Sequence, residues 1–229
     1  VFKAAANTIT TLALKQDGKV GIGTSAPAFD LEIVDNGTNS QTTMAVTGYN
    51  DQTGYRPEIQ LRKSNSDTLG GVSATPDGTQ LGMIRFRGVD SGNGFDDGAI
   101  ITATQSGGAN TKVPTDLKFE TSADTATNSN QLVLHHDGGV GIGTDSPGVK
   151  LEVNAGTSNI AATLVSTDSK VYISFEDNNT STAPIIGGHA DDLIFTTSGT
   201  ERMRIADDGK VGIGTTSPAT PLHVSSSDN

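Results

Sequence analysis

Histidines, paired aspartates, glutamates and glycine-rich strings are the residues through which this chain could do chemistry. His135 and His136 are adjacent, so in a strand they face opposite sides and are expected not to share a metal. His189 and His223 have no partner at metal-ligand spacing. The acidic pairs Asp96–Asp97, Asp191–Asp192 and Asp207–Asp208 offer oxygen ligands of the kind calcium takes, but none follows the spacing of a calcium loop, and solvated turns are expected. Glycoside hydrolysis needs two carboxylates flanking a bond. The six glutamates stand at 32, 58, 120, 152, 176 and 201, and Glu32 and Glu152 occupy equivalent places in a repeat, which favours a structural role. The string GKVGIGT has the glycines of a phosphate loop without the Lys-Ser/Thr ending, and proline and a strand follow it instead of a helix. No catalytic residue, cofactor or metal is expected, and the chain is read as a non-enzyme.

Recognition without chemistry has better candidates. Tyr49, Tyr55, Arg56, Arg85, Arg87 and Phe95 gather aromatics and guanidinium groups in one stretch, the pairing a glycan-binding surface uses. The alternative is that the neighbouring Phe86 is core and the tyrosines seal an interface between chains.

Composition narrows what must position these residues. Val, Ile, Leu and Phe make up 50 of 229 residues, about 22%, and tryptophan is absent, so a large conventional core is not expected. The 28 glycines and 31 threonines favour strands and tight turns, and an all-β fold is expected. A net charge of -11 and a pI near 4.6 argue against nucleic acid and anionic membranes. No apolar run reaches the roughly 20 residues of a membrane helix, so membrane insertion is not expected. Without cysteine there are no disulfides and no thiolate metal sites.

Three copies of one pattern organise the chain: LALKQDGKVGIGTSAPAFDLEI, LVLHHDGGVGIGTDSPGVKLEV and MRIADDGKVGIGTTSPATPLHV. Their Asp-Gly pairs fall at Asp17–Gly18, Asp137–Gly138 and Asp208–Gly209, at unequal spacings that exclude a regular solenoid. Each copy reads as a hairpin node. An alternating strand runs into Asp-Gly, expected as a type I′ turn with both central residues at positive φ. The return strand then presents valine and isoleucine on one face and glycine on the other: Gly21 and Gly23, Gly141 and Gly143, Gly212 and Gly214. Pro27, Pro147 and Pro218 end that strand, and a short strand follows. A glycine face marks close approach by a backbone, expected here from another chain. One node buries too little apolar surface to offset its ordering, so an oligomer of identical chains is expected.

These signals divide the chain into a first node at 1–33, a longer β-rich insert with the second node at 34–153, a shorter insert with the third node at 154–224, and a tail at 225–229. The inserts echo each other, RPEIQLRKS with KVYISFEDN and TDLKFETSAD with DDLIFTTSGT. A short helix is expected nowhere except 158–165.

A strand, a short turn, GxVGIGTxxP and LxV, repeated after inserts containing LxF and Thr-Ser, resembles the distal fibre and tailspike proteins of tailed bacteriophages. The segment ERMRIADDGKVGIGTTSPATPLHV is similar to the one those proteins carry upstream of an endosialidase-type intramolecular chaperone. The likeness spans Leu12 to Val224. It implies a homotrimeric, elongated, intertwined β-fibre on the virion tail, extracellular when assembled, that contacts other tail or fibre proteins and a host surface glycan or protein. The abrupt start at VFKAAANTIT and the end at SSSDN, with no chaperone domain, are those expected of a segment or of a chain cut after trimerisation. Two alternatives stay open: a glycan-binding module centred on the longer insert, about 36–130, and a glycan-degrading tailspike. Related motifs also occur in prophage-derived bacterial surface proteins.

Overall fold

The computed structural model describes all residues except 1, 4–9, 36–40, 50, 52, 124–126 and 227–229. Most of the tail at 225–229 therefore lies outside the described residues. The described chain is all-β, with three sheets and no helix. It divides into two units, Val1–Arg62 and Lys63–Asn229.

The first unit holds one sheet of β1 (Phe2–Lys3), β2 (Thr10–Leu14), β3 (Val20–Ile22) and β4 (Leu31–Ile33), in that order. Strand β2 is antiparallel to β1 and β3, whereas β4 runs parallel to β3.

The second unit holds two six-stranded sheets built to one plan. In the first, β5 (Gln80–Val89), β6 (Phe95–Gln105), β7 (Thr115–Ser122), β8 (Thr127–Leu134) and β9 (Val140–Ile142) meander antiparallel, and β10 (Leu151–Val153) adds parallel to β9. In the second, β11 (Lys170–Ser174), β12 (Ile185–His189), β13 (Asp192–Thr197), β14 (Thr200–Ile205), β15 (Val211–Ile213) and β16 (Leu222–Val224) repeat the arrangement. The echo of TDLKFETSAD and DDLIFTTSGT is thus structural, since Leu117 pairs with Leu134 as Leu193 pairs with Ile205.

The other echo fails. KVYISFEDN contributes β11, but residues 56–64 form no strand. The longer insert supplies its own edge hairpin, β5 and β6, which takes the place β11 and β12 hold in the second sheet.

Two local expectations also need correction. Residues 158–165 are not helical. The Ser158 hydroxyl accepts the Ile160 N–H and donates to the Ile160 carbonyl, a local turn that competes with a helix. The Asp-Gly turns are not type I′. The Gly18 N–H donates to Lys15 O at 3.0 Å and the Lys15 N–H donates to Lys19 O at 2.9 Å, with Gly18 at φ 89° and Asp17 at negative φ. This is a three-residue loop, a type I turn closed by a left-handed glycine bulge. The other two nodes repeat it at Gly138 and Gly209. The aspartate selects this form through its side chain, which accepts the N–H two residues on: Lys19, Gly139 and Lys210. A two-residue turn with both residues at positive φ does occur, at Ser198–Gly199 between β13 and β14.

Candidate functional site

The nodes resolve what their glycines do. Gly21, Gly141 and Gly212 lie on the face shared with Ala13, Val133 and Arg204, to which they are paired. Over that face folds the node's own Thr-x-x-Pro loop. A methyl group at Gly21 would meet Thr24 O at 2.5 Å and Pro27 Cδ at 3.4 Å, and one at Gly212 would meet Thr215 O at 2.5 Å. Gly141 abuts the Thr144 carbonyl in the same way. Gly23, Gly143 and Gly214 take φ of 77°, 74° and 70° and press against the carbonyls of Val34, Asn154 and Ser225, each just past the following strand. The close approach is therefore made by the same chain, not by a second one. In the first and second nodes this glycine face is the local core, with Ala13, Pro27, Val133 and Pro147 buried, whereas Arg204 and Pro218 in the third node are half-buried.

Each loop is locked from within. Thr24, Thr144 and Thr215 accept the N–H of Ala26, Ser146 and Ser217. Glu32 and Glu152 reach back to accept the N–H of Ala28 and Gly148, each at 2.8 Å, and His223 takes the same place in the third node on the Ala219 N–H at 3.3 Å. Two of the six glutamates are thereby structural, and Glu201 is held by Arg204.

The opposite face is left uncovered by the single chain. Ile22, Ile142 and Ile213 are 41%, 43% and 41% exposed, and Leu31, Leu151 and Leu222 are 55%, 61% and 61% exposed. Three separate stretches of sequence thus present the same apolar side chains at nearly the same exposure.

The six candidate contact residues fall into two groups. Tyr49, Tyr55 and Arg56 line a shallow cleft of about 190 Å³ in the first unit, with Thr47, Gly48 and Pro57, and Tyr49 is 97% exposed. Arg85, Arg87 and Phe95 lie on the β5–β6 hairpin in the second unit. Strand β6 pairs with β7 only from Ala99 to Gln105, so Phe95–Gly98 and their β5 partners project past β7, about 13 Å at ~3.3 Å per residue. The loop at the tip is stiff: Asn93 supplies the left-handed residue, and the Asp90 carboxylate accepts the N–H of Gly92 and Gly94. Val89 and Phe95 are exposed there, and Phe86, paired with Ala99 at the base of the projection, is exposed too and so is not core in the single chain. Arg85 and Arg87 both pair with Asp97, at 3.2 and 3.1 Å, which fixes their heads.

The acidic pairs are used singly. Asp97 holds these arginines, Asp192 holds Arg204, and Asp208 binds Lys210 at 2.6 Å, an interaction that keeps its carboxyl below the usual range. The histidine pair departs from expectation. Strand β8 ends at Leu134, so His135 and His136 sit in the turn, where strand alternation no longer applies, and both rings come to one carboxylate, that of Asp116. Burial opposes the charged form of Asp116, but the backbone and ring N–H groups of His136, with His135 beside them, hold its carboxyl below the ordinary value.

No family model matches this sequence, and no curated protein matches it. Among solved structures, the chain is similar to the carboxy-terminal domain of the bacteriophage T5 L-shaped tail fibre, at 12% identity and a TM-score of 0.34, over 77% of this chain and 93% of that one. The same domain with its intramolecular chaperone gives the same identity and TM-score over 77% of this chain and 64% of that one. A superposition this loose fixes neither fold nor role for this chain.

Two polar clusters were not singled out from the sequence. Arg204 binds Glu201 at 2.8 Å and also Asp192, joining β13 to β14. Gln105 is fully buried and clasps Thr75 and Gly107 at the base of the β5–β6 hairpin, with Nε2 donating at 2.8 Å to the carbonyl of each. The aligned strings TDLKFE and DDLIFT already placed Asp116 opposite Asp192 in sequence. Nothing local marks Gln105, whose partner Thr75 lies 30 residues away.

Proposed function

We propose that this chain is a segment of a homotrimeric, intertwined β-fibre of the phage tail-fibre type, a structural protein of the virion that carries or performs attachment to a host surface. The observation that supports it is the uncovered Ile and Leu face, repeated at all three nodes. Identical nodes with identical apolar faces fit a symmetric assembly of identical chains, in which each face meets its own copy around one axis. Three is the number that the sequence resemblance implies. The nodes then form the shaft, and other tail or fibre proteins continue it.

A second reading, receptor contact through the longer insert, is favoured by the projecting β5–β6 tip, where Val89 and Phe95 stand exposed at the ends of a stiff loop with exposed Phe86 at the base of the projection. Rigid aromatic residues lose little entropy on binding and suit a glycan or protein surface. In this reading the segment holds and does not cut. The purified oligomer, incubated with a panel of bacterial cells and their polysaccharides, is expected to sediment with its host cells and to release no reducing ends. Changing Phe86 and Phe95 together to serine is expected to lower cell binding at least about tenfold at unchanged native mass. Release of reducing ends would overturn the non-enzymatic assignment, and binding that ignores the double change would remove the tip as the contact.

A further inference from the structure

Asp116 stands at the start of β7 and is buried, and its equivalent in the third node is Asp192 at the start of β13. Both carboxylates accept the backbone N–H of a turn residue, His136 and Asp207, each at 2.8 Å. They differ in what balances their charge. Asp192 is bound by Arg204. The residue aligned with Arg204 is Val133, and among the described residues no lysine or arginine pairs with Asp116. Two imidazoles converge there instead.

His136 Nδ1 lies 2.9 Å from Asp116 Oδ1, and His135 Nε2 lies 4.0 Å from the same oxygen. The three ligand atoms fall within 4.8 Å of one another, and the ring centroids are 4.2 Å apart. The other nitrogen of His135, Nδ1, is buried 2.8 Å from Asp137 Oδ1, with no aligned hydrogen bond between them. A carboxylate beside the far nitrogen of an imidazole is the outer-shell neighbour that metal-bound histidine uses, and here it needs only to come into line with the ring N–H. A tetrahedral ion about 2.0–2.2 Å from each of two ligands holds them roughly 3.3–3.6 Å apart. The separations of 2.9 Å and 4.0 Å lie on either side of that interval, so an ion draws His135 in and lets His136 out, each by roughly half an ångström, and takes the place of the proton shared by His136 and Asp116.

We propose that Asp116 Oδ1, His135 Nε2 and His136 Nδ1 form a site for one divalent transition-metal ion of the zinc type. Two nitrogens and one oxygen suit zinc, nickel or copper better than calcium or magnesium. The ion does in the second node what Arg204 does in the third: it neutralises a buried carboxylate and pins the start of β7 to the turn after β8. A protein ligand count of three leaves a coordination position for water.

The test is calorimetric titration of Zn²⁺ into the full chain in its native oligomeric state, with thermal melting beside it. One Zn²⁺ per chain and a raised melting temperature are expected. His135→Gln and His136→Gln should each weaken binding at least about 100-fold, and Asp137→Asn, which keeps an oxygen for the Gly139 N–H that sets the turn but removes the outer-shell charge, about 10–100-fold. His189→Gln and His223→Gln should leave it unchanged. Absence of saturable binding would overturn the site. So would binding that survives both His135→Gln and His136→Gln, or binding lost with His189→Gln.

Discussion

A chain carrying Gly212→Val together with Gly214→Val is expected to lose its third node before any question of assembly arises. Valine at 212 drives a branched side chain into the Thr215 carbonyl, which a Cβ already meets at 2.5 Å. Valine at 214 must adopt φ near 70° and collide with the Ser225 carbonyl. Overpacking against backbone costs about 1–3 kcal/mol per site and a β-branched residue in the left-handed region about as much again. The sum, about 5 kcal/mol or more, is comparable with the whole stability of a typical domain. Hydrogen exchange reports it directly. The amides of Val211 and Ser225, which donate to Pro221 and Ile213 at 2.9 Å, should lose protection. Retained protection with loss of the oligomer alone would mean that the glycine face meets another chain after all.

The complementary change acts on the other face. Ile213→Asp with Leu222→Asp replaces side chains that the single chain leaves 41% and 61% exposed, so the node itself loses little. In the proposed assembly the same positions are covered, and burying an unpaired carboxylate costs several kcal/mol at each copy. Expected results are a native mass reduced towards that of one chain and unaltered protection at Val211 and Ser225. An unchanged oligomer would show that the Ile and Leu face is not the interface. The two double variants together separate packing within the chain from packing between chains, which the motif encodes on opposite faces of the paired strands β15 and β16.

Much of this was legible in the sequence because the motif is written three times. The alternation of Leu132 and Leu134, or of Met203 and Ile205, marked the strands, and the glycine face correctly marked close approach. What the sequence could not supply was the approaching partner, since Thr24, Pro27 and Val34 reach over Gly21 and Gly23 through a turn whose direction depends on the left-handed glycine itself. The turn type is hidden for a related reason: Asp-Gly is compatible with a two-residue or a three-residue loop, and the choice is made by the aspartate side chain accepting an N–H two residues on. His135 and His136 face opposite sides only if the strand runs through both, and β8 ends at Leu134, two residues short of His136, which reverses the conclusion. Gln105 and Thr75 show the opposite limit, a buried polar clasp between residues remote in sequence, with no periodicity to announce it.

The measurement closest to the central claim is the native mass of the purified chain by light scattering or sedimentation. An assembly of three chains predicts three times 23.5 kDa, 70.5 kDa. A monodisperse particle of 23.5 kDa would contradict it, because the repeated Ile and Leu faces would then stand in water with nothing to cover them.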